Sequence, residues 1–206
     1  MLPLTKTIPK PMLQVGRKPL IQYQVERLVE AGISDIVINH AVMGEQIESY
    51  LGDGRRFNAR IRYSAEGETP LDTAGGIKHA LPLLEANPFI AVNADVWTDF
   101  PFQQLLSRTG ALAHLVLTAN PPHHPRGDFY LEDGKVSNDR GIRLTFAGIG
   151  VYQPRLFDRL EQPVYALGEL LRQAIEGNEI TGEYYQGVWM DIGTPERLGQ
   201  LQEYYK

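Results

Sequence analysis

The stretch Phe89-Ile90-Ala91-Val92-Asn93-Ala94-Asp95-Val96-Trp97-Thr98-Asp99 constrains the fold more than any other part of the chain. Four apolar residues in a row, two of them β-branched, predict a strand buried on both faces, and such strands belong to sheets covered by helices. The run then stops abruptly at a carboxylate-bearing turn. In open α/β sheets ligands bind in crevices outside the carboxyl ends of the strands, so Asp95 is a carboxylate held by a rigid strand where chemistry usually sits. A purely local alternative stays open, because Asp is common at caps and turns: Asp95 then caps a helix near Asp99 or closes a turn.

The segments before this strand alternate in type. Leu20, Ile21, Val25, Leu28 and Val29 recur at helical spacing until Gly32, a plausible C-cap. Asp35–His40 reads as a short strand, Gly44–Leu51 as a helix, and Ala59–Tyr63 as a third strand with alternating polarity. Helix, strand, helix, strand, with connections long enough for crossovers, predicts an α/β fold with a mostly parallel sheet. Ahead of these elements, Pro3, Pro9, Pro11 and Pro19 predict an irregular, extended opening loop.

Beyond Asp99 the pattern shifts. A short helix at Phe102–Leu106 and a strand over 112–118 precede a hairpin centred on Asp133-Gly134, a strong two-residue turn signal. A long strand follows at Leu144–Tyr152, with glycines where a ligand or another backbone passes close, and then a helix from Tyr165 to Ile175. Thr194-Pro195-Glu196 opens a final helix: a cap, proline at the first helical position, and an acid near the positive end of the dipole. Hairpin signals thus replace helical crossovers in the second half. The expectation is a mixed sheet with a β-rich extension, within a single domain of 206 residues.

Composition narrows the function. A formal charge of −5 without a basic patch argues against a nucleic-acid or anionic-membrane footprint. The absence of cysteine excludes disulfides, thiolate catalysis and Cys-ligated zinc, and suits a reducing cytoplasm. No apolar run approaches the roughly 18 residues of a membrane helix, and no signal-peptide pattern opens the chain, so a cytoplasmic location is expected. His123-His124, in a Pro-flanked loop without further ligands at metal spacing, reads as a surface or substrate-edge loop. In Glu66–Ile77 the small residues around Gly75-Gly76 read as a loop opening a helix, where backbone N–H groups approach a flat or anionic ligand. A tight turn is the alternative.

Four segments, in order, carry a resemblance: Pro3-Leu4-Thr5 with Lys10-Pro11-Met12, the Gly75-Gly76 stretch, Asn93-Ala94-Asp95, and Trp189-Met190-Asp191-Ile192-Gly193-Thr194. Together they resemble the sugar-1-phosphate nucleotidyltransferases, a family with a Rossmann-like, glycosyltransferase-A-like fold. Val37–His40, Asp95–Asp99, His123-His124 with Arg126–Phe129, and Thr145–Ile149 resemble the branch that acts on N-acetylmuramate 1-phosphate in peptidoglycan recycling. Two departures stand out. The family's first strand and glycine-rich phosphate loop are missing before Met1-Leu2-Pro3, so about 12 to 16 further N-terminal residues are expected. Ala94 also stands where glycine is usual.

The resemblance implies in-line attack by a sugar 1-phosphate oxygen on the α-phosphorus of a nucleoside triphosphate, UTP in this branch, releasing pyrophosphate. Such chemistry relies on positioning and electrostatics, with Mg²⁺ on hard oxygen ligands and cationic side chains. By resemblance, Asp95 and Asp191 hold Mg²⁺ and Lys10 neutralises the phosphates. Glu66, Thr73, Gly75, Gly76 and Asn93 bind the nucleotide, and Gly127, Asp128, Gly148 and Glu169 face the sugar. The expected form is a monomer or small homo-oligomer. Open alternatives are a hexose 1-phosphate or phosphocholine substrate, a non-catalytic nucleotide-binding homologue, and a metal-dependent glycosyltransferase, though Trp97 stands where the second acid of a D-x-D pair belongs.

Overall fold

The computed structural model of the chain describes residues 4–67, 69–85 and 87–205; Pro3 and Glu68, which belong to the opening loop and the Glu66–Ile77 stretch, lie outside them. Its strands are β1 (Gln14–Val15), β2 (Lys18–Pro19), β3 (Asp35–His40), β4 (Arg60–Ala65), β5 (Phe89–Val92) and β6 (Val96–Thr98). They continue with β7 (Ala113–Thr118), β8 (Phe129–Glu132), β9 (Lys135–Ser137), β10 (Ile142–Tyr152), β11 (Ile180–Tyr185) and β12 (Trp189–Asp191). The α-helices are α1 (Leu20–Glu30), α2 (Gly44–Leu51), α3 (Asp72–Ala80), α4 (Leu167–Glu176) and α5 (Pro195–Tyr204). These elements divide into two compact units, the first taking residues up to Pro70, Ala94–Gln103 and everything from Trp189, the second Leu71–Asn93 and Gln104–Val188.

The first unit has two apolar clusters. Ile21 and Val25 of α1 pack with Ile36, Ile47, Leu51 and Ile61, so α1 and α2 cover the parallel pair β3–β4. On the other face of α1, Leu20 joins Leu13, Val15, Trp97, Ile192, Leu198 and Leu201. Full burial of such side chains contributes about 1.5–3 kcal/mol each. That burial seats α5 beside the antiparallel pair β6–β12, in which Asp191 lies opposite Val96. The buried Gln24 Nε2 of α1 donates to the Val96 carbonyl, tying helix to strand. The opening, predicted to be irregular, instead forms 3₁₀ turns at Leu4–Lys6 and Lys10–Met12 and the small β1–β2 hairpin.

The second unit is built on a six-stranded sheet in the order β5-β10-β7-β11-β9-β8. β7 is buried along its whole length, and α3 and α4 supply Ala74, Leu167, Leu170, Leu171 and Ala174 to the core beside Phe89, Leu115 and Phe157. Three sequence expectations change here. Pairing among the described residues is mostly antiparallel, with β7–β11 in this sheet and β3–β4 in the first unit running parallel. The Asp133-Gly134 turn and the short link into β10 cannot join parallel strands. Second, β5 is an edge strand among the described pairings, and of its residues only Phe89 is buried. Third, Gly75-Gly76 lie inside α3, where a side chain on Gly75 would collide with the Pro163 carbonyl. Small residues there allow helix–backbone packing.

Among the described residues no helix is long and apolar enough to cross a membrane.

Candidate functional site

The chemistry-bearing residues of the first unit gather around the strand pair β6–β12. Asp95 occupies the turn just ahead of β6, and Asp191 ends β12. The Ile192 N–H donates to the Asp95 carbonyl at 2.7 Å, so the turn carrying Asp95 lies against the end of β12, although the two acids are 96 positions apart in the chain. Each carboxylate meets a cation. Lys10 Nζ, in the 3₁₀ turn held by Pro9 and Pro11, reaches Asp95 Oδ2 at 2.7 Å. Arg197 Nη1, in the first turn of α5, donates to both Asp191 oxygens at 2.8 Å. The acid side chains are about one-third exposed, 31% for Asp95 and 30% for Asp191, so solvent and a ligand can reach them.

The helix that delivers Arg197 is defined by its local sequence. Thr194 is extended, with φ −135° and ψ 158°, and its Oγ1 accepts from the Arg197 N–H at 3.3 Å; Pro195 follows at the first helical position. The Glu196 carboxyl lies below its usual range because it accepts from its own backbone N–H and from the Thr194 hydroxyl. Arg197 was missed by sequence reasoning. The available signal was a cation in the first turn of a helix, where the macrodipole disfavours positive charge.

Glu66 lies elsewhere in the first unit, at the end of β4, where its N–H donates to the His40 carbonyl and its carboxylate accepts from Asn39 Nδ2 at 2.8 Å.

In the second unit the residues assigned to nucleotide and sugar fall into three places. Thr73 is exposed on the first turn of α3, whereas Gly75 and Gly76 are buried in that helix and the Gly75 N–H points at the Tyr165 carbonyl. Glu169 is exposed in the first turn of α4. The remaining four border β10. Its register shifts between Phe146 and Ile149, making a bulge in which Gly148 has φ +71°. A Cβ on Gly148 would stand 2.7 Å from Asn93 Nδ2, while the Asn93 N–H donates to the Gly148 carbonyl at 2.8 Å. Glycine is required by both conformation and contact. Gly127 and Asp128 lie against β10, with Asp128 Oδ2 accepting from the Phe146 N–H at 2.8 Å and Oδ1 facing His124 Nε2 at 3.1 Å. His124 thus serves to brace its loop.

The donor set at β6–β12 suits a small hard cation: two carboxylates, each about one-third exposed. No group of three or more acidic or imidazole ligands occurs among the described residues. Mg²⁺ does not need one, since it is commonly held by one or two carboxylates together with substrate phosphates and water.

The chain is similar in sequence and fold to known proteins. The nucleotidyl transferase family model covers residues 1–131. The chain belongs to the nucleotidyl transferase family. It is 46% identical over 98% of its length, and 91% of the relative's, to N-acetylmuramate α-1-phosphate uridylyltransferase of Neisseria meningitidis serogroup B. It is 34% identical over 94% of its length to mannose-1-phosphate guanyltransferase of Hypocrea jecorina, of which it spans 57%. Among solved structures, UDP-glucose pyrophosphorylase superposes with a TM-score of 0.76 at 21% identity, covering all of this chain and 93% of that one. HddC of Yersinia pseudotuberculosis complexed with GMP-PN superposes at 0.78 with 19% identity, over 97% and 91% of the two chains. The fold of this nucleotidyl transferase is therefore Rossmann-like α/β.

Proposed function

We propose that this nucleotidyl transferase joins UTP to N-acetylmuramate 1-phosphate, giving the UDP-sugar and pyrophosphate for peptidoglycan recycling in the cytoplasm. The observation that carries the chemistry is the placing of Asp95, in the turn just ahead of β6, next to the end of β12 where Asp191 stands, each acid beside its own cation. Reachable carboxylates with cations in contact are what transfer between phosphate esters needs, because the reacting groups are anionic and little covalent work is left to the protein. The choice of base and sugar is supported by the likeness to the Neisseria protein.

In this reading Asp95 and Asp191 hold Mg²⁺, whose part is to neutralise phosphate charge and polarise the α-phosphoryl group. Lys10 moves its ammonium from Asp95 to the phosphates, a short excursion for a long side chain that is 35% exposed. Glu66, Thr73, Gly75, Gly76 and Asn93 are proposed for the nucleotide, and Gly127, Asp128, Gly148 and Glu169 for the sugar. Of these, Gly75 acts through helix packing, and Asp128 through the backbone of β10 as much as through any ligand.

The test is pyrophosphate release from UTP with N-acetylmuramate 1-phosphate or glucose 1-phosphate, with and without Mg²⁺. It is run on this chain and on one preceded by a strand and glycine-rich loop. Metal-dependent release favouring the muramate by tenfold or more is expected. Release that prefers glucose 1-phosphate would move the substrate to the hexoses, and UTP binding without turnover in both chains would make the protein a non-catalytic homologue.

A further inference from the structure

We propose that Arg197 is a positioning residue for Asp191 that also holds off a bare divalent cation, so that the metal enters together with the anionic nucleotide. The inference rests on the metal role proposed above for Asp95 and Asp191.

The first support is where the arginine stands. A cation in the first turn of a helix faces the positive end of the macrodipole, an unfavourable arrangement. Arg197 occupies that turn, three residues after the Thr194 cap, and leans back from the helix to Asp191. Its side chain is 17% exposed, so the guanidinium is largely withdrawn from water to make this contact.

The second support is the route it takes. Gly193 separates Asp191 from the cap, and a Cβ at Gly193 would collide with Arg197 Nη2 and lie 3.4 Å from Asp191 Oδ2. The backbone there is bare where the guanidinium crosses it. Gly193 is not among the positive-φ glycines, so what a side chain would meet there is the tip of Arg197. The seat of α5 is secured by burial of Ile192, Leu198 and Leu201.

The consequence is electrostatic. A guanidinium does not deprotonate in proteins, so Asp191 faces a fixed positive charge at every accessible pH. Lys10 stands against Asp95 in the same way, so each acid has a cation in contact with it. Divalent affinity follows the number of negative ligands a site offers. An acid already matched by a cation captures a lone divalent ion more weakly than a bare one. A triphosphate brings the missing negative charge and gives both cations a new partner, so the metal gains its full ligand set only with the nucleotide present.

Mn²⁺ binding to the nucleotide-free protein, read by water-proton relaxation, tests this without any turnover. Arg197→Gln is expected to bind Mn²⁺ about tenfold more tightly than the wild type, the effect of removing one unit charge about 6 Å from a divalent ion at near-aqueous screening. Gly193→Ala, which displaces the guanidinium but keeps its charge, should shift affinity the same way by a smaller factor. Arg197→Lys should stay close to the wild type. If Arg197→Gln binds Mn²⁺ no more tightly, or if only that variant changes and it has also lost its circular-dichroism signature while Gly193→Ala is unaltered, the proposal falls. Asp191→Asn separates the two ideas. Should it bind Mn²⁺ as well as the wild type does, the metal assignment itself fails; should it lose binding while Arg197→Gln gains none, the assignment survives and the role of Arg197 does not.

Discussion

Asp191 and Asp128 are both aspartates assigned to ligands by resemblance, yet they are held by different means. Asp191 in the first unit is gripped by the tip of an arginine side chain, and Asp95 beside it by the tip of a lysine. Asp128 in the second unit accepts from a backbone N–H of β10 and faces His124, four residues earlier on its own loop. A side-chain cation can swing to a new partner within its rotamers, whereas a strand amide moves only if the strand does. The first two acids are therefore available to a ligand, and the third is built into the framework. Residue type alone does not make a site; the mobility of what satisfies the residue does.

The largest effect that would separate these acids is on turnover. Asp95→Asn and Asp191→Asn should each lower pyrophosphate release a hundredfold or more while leaving the thermal midpoint within about 2 °C of the wild type, because neither side chain is needed by the core. A variant that keeps wild-type-like turnover removes its residue from the metal site and erases the distinction.

A smaller effect, of the opposite kind, is expected at Asp128. Replacing it by Ala leaves the Phe146 N–H without its acceptor beside the β10 bulge. Loss of about 1–2 kcal/mol is expected, seen as a fall of about 2–8 °C in the melting temperature. Sharply reduced turnover with an unchanged melting temperature would instead put Asp128 among the reachable acids.

The smallest effect sharpens the contrast with an acid that serves neither purpose. Glu183 on β11 lies below its usual range, first through its contact with His114, with burial opposing and Arg108 adding to the fall. Because its folded pKa is depressed, its contribution to stability is present above the unfolded value, near 4.5, and is lost as pH falls through the lower folded one. Unfolding free energy measured from pH 6 downward should therefore drop less steeply below about pH 4.5 in Glu183→Gln than in the wild type. Parallel curves would show that Glu183 carries no such linkage.

Much of the fold was legible in the chain. β3 at Asp35–His40 matches its sequence signal, α2 at Gly44–Leu51 lies where a helix was expected, and α5 begins at the proline that follows its threonine cap. These elements are decided by local periodicity and capping, which a linear reading contains. Gly75-Gly76 was misread as a loop because two glycines signal a turn locally, and only the Pro163 carbonyl lying against α3 explains them. β5 was read as doubly buried because Ile90, Ala91 and Val92 are apolar, but the strand has one described neighbour, β10.

For the site, the sequence by itself determined which acids follow or close apolar strands and which lysine sits between prolines: Asp95, Asp191 and Lys10. Tertiary structure decided what each of them touches. Lys10 and Asp95 are 85 positions apart, and Asp95 and Asp191 meet only through the β6–β12 ladder. Arg197 acquires a role only because burial of Leu198 and Leu201 aims the first turn of α5 at Asp191 over the bare Gly193. Strand ends and caps depend on neighbours within a few residues, so a one-dimensional pattern records them. Ion pairs depend on long-range packing, and nothing in the local sequence names the partner.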